Sequence, residues 1–301
     1  MRRHSDEWGS RVHNPKLSAL EQRKNTSSLA LLTERKNESF FGDVFMNHLA
    51  SSGAPFPHAS EKIVSETFRK AWAQTDPGLA TRLDPLSEDI AKVLLPLLPR
   101  PDNIRVMEAG SGKGMISALL AERGYDVTLL DTSREALEIS REVFRTRRRG
   151  FRAIQGSMFA IPVPDGFFDV IWNAGVLEHF YFHEQVEAIR ELARALKPGG
   201  RLITLNPSAH GWVYRAGKAI AEFRGTWGVG QEFPVRTLRS HCLSLNLDVM
   251  EERDVLPEHQ FRFFGKYGHP LFALGQRSQV MRQAYLKSLG GYLKLSVIRK
   301  N

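Results

Sequence analysis

Residues 106–131, VMEAGSGKGMISALLAERGYDVTLLD, run an apolar stretch into glycines at every second position, Gly110, Gly112 and Gly114, and close a second apolar stretch on Asp131. Glycines so spaced let the backbone turn sharply and pass close to a ligand with no Cβ in the way. The pattern therefore reads as strand, tight turn, helix and second strand. It does not stand alone: apolar runs at 104–109, 126–131, 151–155, 168–173 and 200–206 alternate with helical stretches, and a helix is expected over 86–98. Such alternation predicts a parallel sheet covered by helices on both faces, and further strands are expected at 247–255 and 292–299.

Around that core the chain divides unevenly. Residues 1–85 are polar and carry no motif, although 15–24 and 59–74 are helical candidates. In the second of these, Ile63, Val64, Phe68 and Trp72 recur near helical spacing. The segments 207–233 and 258–287 mix aromatics with glycines or cations, and are expected as insertions that wall or cover a binding site. Residues 86–301 form the expected α/β domain and 1–85 an N-terminal helical or cap extension. With 301 residues, 42% of them hydrophobic, the chain can bury one large core.

Composition excludes several classes. The start, MRRHSDEWGS, lacks the apolar stretch of a signal peptide, and no run reaches the roughly 18 apolar residues of a membrane span, so a cytoplasmic protein is expected. Cys242 is the single cysteine, which rules out an internal disulfide or a cysteine metal cluster and reads as a small buried apolar residue. The net charge of +9 is spread over a cluster at Arg145, Arg147, Arg148 and Arg149 and a scattered excess from Arg262 to Lys300. Nucleic acid is not the expected partner. A solvated face, or peripheral contact with an anionic membrane, accounts for the charge as well as a phosphate groove does.

The turn itself discriminates between ligands. A dinucleotide fingerprint requires glycine or alanine where Met115 stands, and sets a pyrophosphate on the helix N-terminus, where Glu108 would repel it. A cationic ligand would instead be attracted. S-adenosyl-L-methionine carries a sulfonium and an ammonium but no phosphate, and its ribose offers two hydroxyls that suit a carboxylate such as Asp131 at the end of the second strand.

These residues resemble the class I S-adenosylmethionine-dependent methyltransferases, in particular the branch containing the ubiquinone and menaquinone biosynthetic enzymes. EAGSGKG and LLDTS resemble its first two motifs, and GSMFAIPVPDGFFDVIW its third and fourth. NAGVLEHF resembles its post-strand turn and LKPGGRLITLNPS its fifth strand. The resemblance covers about 100–206 strongly and 235–301 weakly. It implies an α/β, Rossmann-like, doubly wound sheet of seven strands, mostly parallel with an antiparallel last strand, beside the N-terminal helical extension. It also implies a cofactor set: Gly110, Ser111, Gly112 and Gly114 along the methionine and ribose, Glu108 on the ammonium side, Asp131 on the ribose hydroxyls and Thr132 beside the adenine. Ser157 and Met158 fall at the adenine edge, and Asn173 joins the set at the end of the fourth strand. Position 157 departs from the family, where an acidic residue commonly accepts from the adenine amine; serine accepts more weakly.

Methyl transfer from a sulfonium is an in-line displacement that needs at most one base and leaves S-adenosyl-L-homocysteine. His179 is the candidate base, with Tyr181, His183, His210 and His58 as further candidates. No metal is expected, since Asn173 and Ala174 offer no acidic cluster. Asp169 is expected to anchor the start of the fourth strand. The expected activity is methylation of a small-molecule or lipid-like, hydrophobic acceptor. The alternatives are an RNA or protein methyltransferase, or a non-catalytic methyltransferase-like binding protein.

Overall fold

The computed structural model describes residues 59–76, 81–261 and 287–301. Helix α1 (Ala59–Ala73) comes first, followed by α2 (Pro85–Leu94), β1 (Arg105–Ala109), α3 (Met115–Glu122), β2 (Asp126–Asp131), α4 (Arg134–Thr146), β3 (Arg152–Gln155) and β4 (Phe168–Ala174). A short 3-10 turn (Leu177–His179) leads to α5 (Phe182–Ala195), β5 (Leu196–Pro207), α6 (Trp212–Phe223), α7 (Arg239–Cys242), β6 (Leu247–Val255) and β7 (Leu293–Lys300).

The strands form one seven-stranded sheet in the order β3-β2-β1-β4-β5-β7-β6. β1 to β5 are parallel, while β7 runs antiparallel to both β5 and β6. Strand order reverses between β1 and β4, so their carboxyl ends open the crevice where a sheet of this kind binds ligands.

The local chemistry explains why the elements start where they do. Asp84 caps α2 by accepting from the Ser87 N–H at 3.0 Å, with Pro85 in the first turn, where its missing N–H costs nothing. Ser133 caps α4 by accepting from Ala136 N–H at 3.1 Å. Two apolar layers sandwich the sheet. On one side α2, α3 and α4 bring Leu94, Leu120, Leu137 and Phe144 onto Val106, Leu129, Trp172 and Ile203. On the other, α5 and α7 bring Ile189, Leu192 and Cys242 onto Met107, Ile171, Leu202 and Ile298. Cys242 is buried there as expected, and burial pushes its thiol up to about 11.

Asp169 anchors its strand: it accepts from the Arg105 N–H at 3.0 Å and pairs with Lys197 at 2.5 Å, tying β4 to β1 and β5. Helix α7 begins only at Arg239, because Val235 N–H is held by the Pro207 carbonyl at 3.2 Å and Val235 bridges to Ser208 as extended chain. Of the cover segment expected at 258–287, residues 262–286 lie outside the described residues, as do the candidate helix at 15–24 and His58.

Candidate functional site

The strand-to-helix turn after β1 does what its glycines allow. The N–H groups of Gly110 and Ser111 both donate to the Leu130 carbonyl, at 2.8 and 3.1 Å, which clamps the turn against the end of β2. Asp131 completes the clamp: one carboxylate oxygen accepts from Gly112 N–H and the other from Ser133 N–H, each at 2.8 Å. Each oxygen keeps a second lone pair that can face the crevice. Burial raises the Asp131 carboxyl, opposed by the N–H groups that hold its charged form.

Glu108, at the end of β1, is 6% exposed, and its Oε2 has no hydrogen-bond partner. Burial, with Asp131 nearby adding repulsion, pushes its carboxyl up to about 8. Ser111 Oγ is likewise buried and unpartnered. Such groups are costly to leave unmade, so the crevice offers polar capacity to something that enters it.

These residues line a cavity of about 280 Å³. Glu108, Gly110, Ser111, Gly112, Asp131, Thr132, Met158 and His179 from the expected set all reach it. Gly114 does not: it sits at φ +61° as the N-terminal boundary of α3, where a Cβ would meet Leu129 Cδ1 at 2.6 Å. Its lack of a side chain serves the packing of helix on strand. Asn173 is also absent from the lining. Its neighbours Trp172 and Ala174 pack with the first apolar layer, whereas Asn173 faces the other side of β4 and is fully buried with neither amide atom partnered. Ser157 lies in a neighbouring cleft with Gln155 and Gly156, and its Oγ accepts from Phe159 N–H at 3.0 Å.

The sequence reading gave 1–85 as a helical or cap extension but named none of its residues for the cofactor set. Glu61, Val64, Ser65, Phe68 and Trp72 of α1 line the same cavity as its roof, spaced three and four residues apart on one face. Trp72 lies so close over the turn that a Cβ on Gly112, at φ +51°, would stand 2.7 Å from its ring. Ser65 Oγ donates to Thr132 Oγ1 at 2.9 Å, and Ser60 N–H to Glu184 Oε1 at 3.2 Å. The Arg69–Glu135 pair, 3.4 Å long and 44% and 31% exposed, adds little, since such pairs give about 0–1 kcal/mol. The apolar stripe holds the roof in place. It was visible as Val64, Phe68 and Trp72; what it covers was not.

His179 sits at the far end, 5% exposed, with the Phe68 ring edge-on at 5.2 Å. Its Nδ1 lies 2.8 Å from the Gln231 carbonyl and so must carry the hydrogen, leaving Nε2 as the lone-pair nitrogen. Burial lowers its pKa below the usual 6.5 and keeps the ring neutral at neutral pH. Glu178 Oε1 is 3.8 Å from Nε2, too far for a hydrogen bond, and burial raises the Glu178 carboxyl strongly. A second cavity of about 160 Å³ begins on the other side of His179, lined by Ile63, Val64, Tyr181, Val229 and Phe233. Of the other base candidates, Tyr181 borders this second cavity, whereas His210 pairs with Asp254 at 3.3 Å and lines neither.

The comparisons agree with this geometry. Residues 107–204 match the family described as a methyltransferase domain. The chain carries a class I, S-adenosylmethionine-dependent methyltransferase domain. It is similar to the malonyl-[acyl-carrier protein] O-methyltransferase of Serratia marcescens, 25% identical over 193 residues that cover 64% of this chain and 71% of that one. It is also similar to the demethylmenaquinone methyltransferase of Thermus thermophilus, 34% identical over 118 residues that cover 37% and 53%. In shape it resembles the geranyl diphosphate C-methyltransferase of Streptomyces coelicolor, with TM-score 0.56, 17% identity and coverage of 82% and 99%. That methyltransferase was crystallised with Mg2+, geranyl diphosphate and S-adenosyl-L-homocysteine.

The cavity fits S-adenosylmethionine on its own terms. It has a buried orphan carboxylate for a cationic end, a carboxylate held by two backbone N–H groups for a diol, and a turn at Gly112 with no room for a side chain. The arginine cluster is partly spent: Arg145 pairs with Glu142 at 2.5 Å and Arg147 with Glu122 at 2.9 Å. Among the described residues no helix is long and apolar enough to cross a membrane.

Proposed function

We propose that the methyltransferase domain methylates a small, largely apolar or lipid-like acceptor, with no metal in the transfer. The observation that carries this reading is the second cavity, apolar on most of its walls and sharing His179 and Val64 with the lining of the first. S-adenosylmethionine supplies a methyl group on a good leaving group. Glu108 would meet its cationic amino-acid end, Asp131 its ribose hydroxyls, and Thr132 and Met158 its adenine. The second cavity would hold the acceptor in line with the methyl group and away from water, which accounts for most of the rate in a displacement of this kind.

His179 is then the acceptor-side base. The Gln231 carbonyl fixes its tautomer, burial keeps it neutral, and Nε2 would hold the proton released by a hydroxyl or acidic carbon. An acceptor as apolar as these walls could arrive from an anionic membrane surface, which suits the basic balance of the chain.

The test is to incubate cell extract with the protein and S-adenosylmethionine bearing a deuterated methyl group, and then to separate organic-soluble, aqueous and macromolecular fractions for mass spectrometry. A labelled species in the organic-soluble fraction is expected. Label confined to RNA or protein would overturn the reading.

A further inference from the structure

We infer that Glu61, on the roof helix α1, is the hydrogen-bond acceptor for the exocyclic amine of adenine, so that base recognition comes from outside the sheet. The inference rests on the cofactor placement proposed above. With the ribose at Asp131, a base that continues past Thr132 enters the cleft formed by Glu61, Lys62, Ser65, Thr132, Gln155, Gly156 and Ser157, in which Lys62 is exposed and forms no ion pair with Glu61. An amine there is a donor and calls for an acceptor, best of all a charged one.

The floor of this cleft offers only neutral acceptors. Ser157 Oγ already accepts from Phe159 N–H at 3.0 Å and has one lone pair left, and Gln155, whose Nε2 donates to the Thr132 carbonyl at 3.4 Å, has its amide oxygen; both are weaker acceptors than a carboxylate. Glu61 is the single carboxylate lining the cleft. It is partly shielded from solvent, lines the main cavity as well, and has no hydrogen bond or ion pair among the described residues.

Its register is set by Ser65, one turn further along α1, which is bonded to Thr132 at 2.9 Å; the residue four positions earlier lies on the same helix face and lines the cleft with Gly156 and Ser157. A carboxylate from a helix 96 positions earlier (Glu61 to Ser157) thus takes the place that a side chain on the floor leaves unfilled.

A ligand that lacks the donor separates recognition from packing. Calorimetry would compare S-adenosyl-L-homocysteine with S-inosyl-L-homocysteine, whose base carries a 6-oxo acceptor in place of the amine, on the full chain and on Glu61→Ala and Glu61→Gln. The wild-type protein is expected to prefer the adenosyl ligand by about tenfold, and Glu61→Ala to reduce that preference to within about twofold by weakening the adenosyl ligand alone. Glu61→Gln, whose amide can accept from the amine or donate to the 6-oxo group, is expected to bind the two ligands about equally. An unchanged preference in Glu61→Ala, or equal weakening of both ligands, would overturn the inference. If neither ligand bound the wild-type protein, the cofactor reading itself would fail, and this inference with it.

Discussion

The floor of the cavity, residues 108–116 and 130–132, and its roof, helix α1, hold their residues in place by different physics. On the floor the backbone acts: N–H groups of Gly110, Ser111 and Gly112 are pinned to Leu130 and Asp131 across two adjacent strands. On the roof side chains act: Phe68 and Trp72 lie against His179 and Gly112, and a single hydroxyl pair joins α1 to Thr132. Backbone clamps are rigid and short in sequence; a helix seated by an apolar stripe can lift as a unit. The difference suggests a division of labour in which the floor fixes the cofactor and the roof governs entry and closure.

The largest effect is expected where floor and roof meet. His179→Gln should lower turnover roughly 100-fold while cofactor affinity stays nearly unchanged, since the base acts in the chemical step. Single-turnover kinetics with a saturating acceptor would check this. A variant that loses stability but keeps its rate would make His179 a packing residue between Phe68 and the Gln231 carbonyl.

Asp131→Ala strikes the floor alone. It should weaken S-adenosylmethionine binding by on the order of 2 kcal/mol or more, because a charge-assisted contact to the ribose is lost. It should also lower thermal stability, because the N–H groups of Gly112 and Ser133 lose their acceptor. Calorimetry together with a melting curve reads both. Unchanged affinity would mean that the ribose is held elsewhere.

The floor was legible in the sequence because its constraints are local. A strand, a turn with alternate glycines, a helix and a strand-terminal acid fall within some 25 residues, and each has one physical reason to be there. Even so, sequence could not tell a glycine that makes room for a ligand from one that makes room for a neighbouring strand: Gly114, expected along the cofactor, lies outside the cavity lining and makes room for Leu129. Asn173, expected in the cofactor set, lies outside the cavity lining. One step of strand alternation decides its face, and the end of β4 carries no marker for which step is which. The roof was half legible. Val64, Phe68 and Trp72 announce an amphipathic helix, but nothing near them in the chain specifies a partner at Gly112 or His179. The seventh-strand topology followed from the resemblance, whereas β7 inserting between β5 and β6 became visible only in the sheet order.

Gly112→Ala tests whether roof and floor press on each other. The new methyl would meet Trp72 and also sit at a positive φ, so the single substitution should weaken the cofactor by about tenfold. In a Trp72→Ala background the steric part disappears and only the backbone strain remains. The second substitution should therefore recover part of the loss in a double-mutant cycle. Strict additivity would show that α1 moves aside freely and that the contact with Trp72 carries no energy.

The smallest effect is a proton. Burial pushes the Glu108 carboxyl up to about 8, with Ser117 hydrogen bonding opposing the shift and the Asp131 charge adding to it. Its folded value lies above the unfolded 4.5, so the native state holds the extra proton between those two values. Its contribution to stability is therefore complete below about 4.5 and is lost as the pH rises through about 8. A ligand with an ammonium group favours the ionised form, so binding below that pH must expel the proton. Affinity for S-adenosyl-L-homocysteine should thus rise a few-fold from about pH 6.5 to pH 8.5, with proton release visible as a dependence of the binding heat on the buffer. Glu108→Gln should remove both the release and the slope. The ligand's own amine loses charge toward the upper end of that range, so the decisive quantity is the difference between wild type and variant, measured pH by pH. A slope that survives in Glu108→Gln would assign the proton to another group, and the orphan carboxylate of the floor would then be facing something other than a cation.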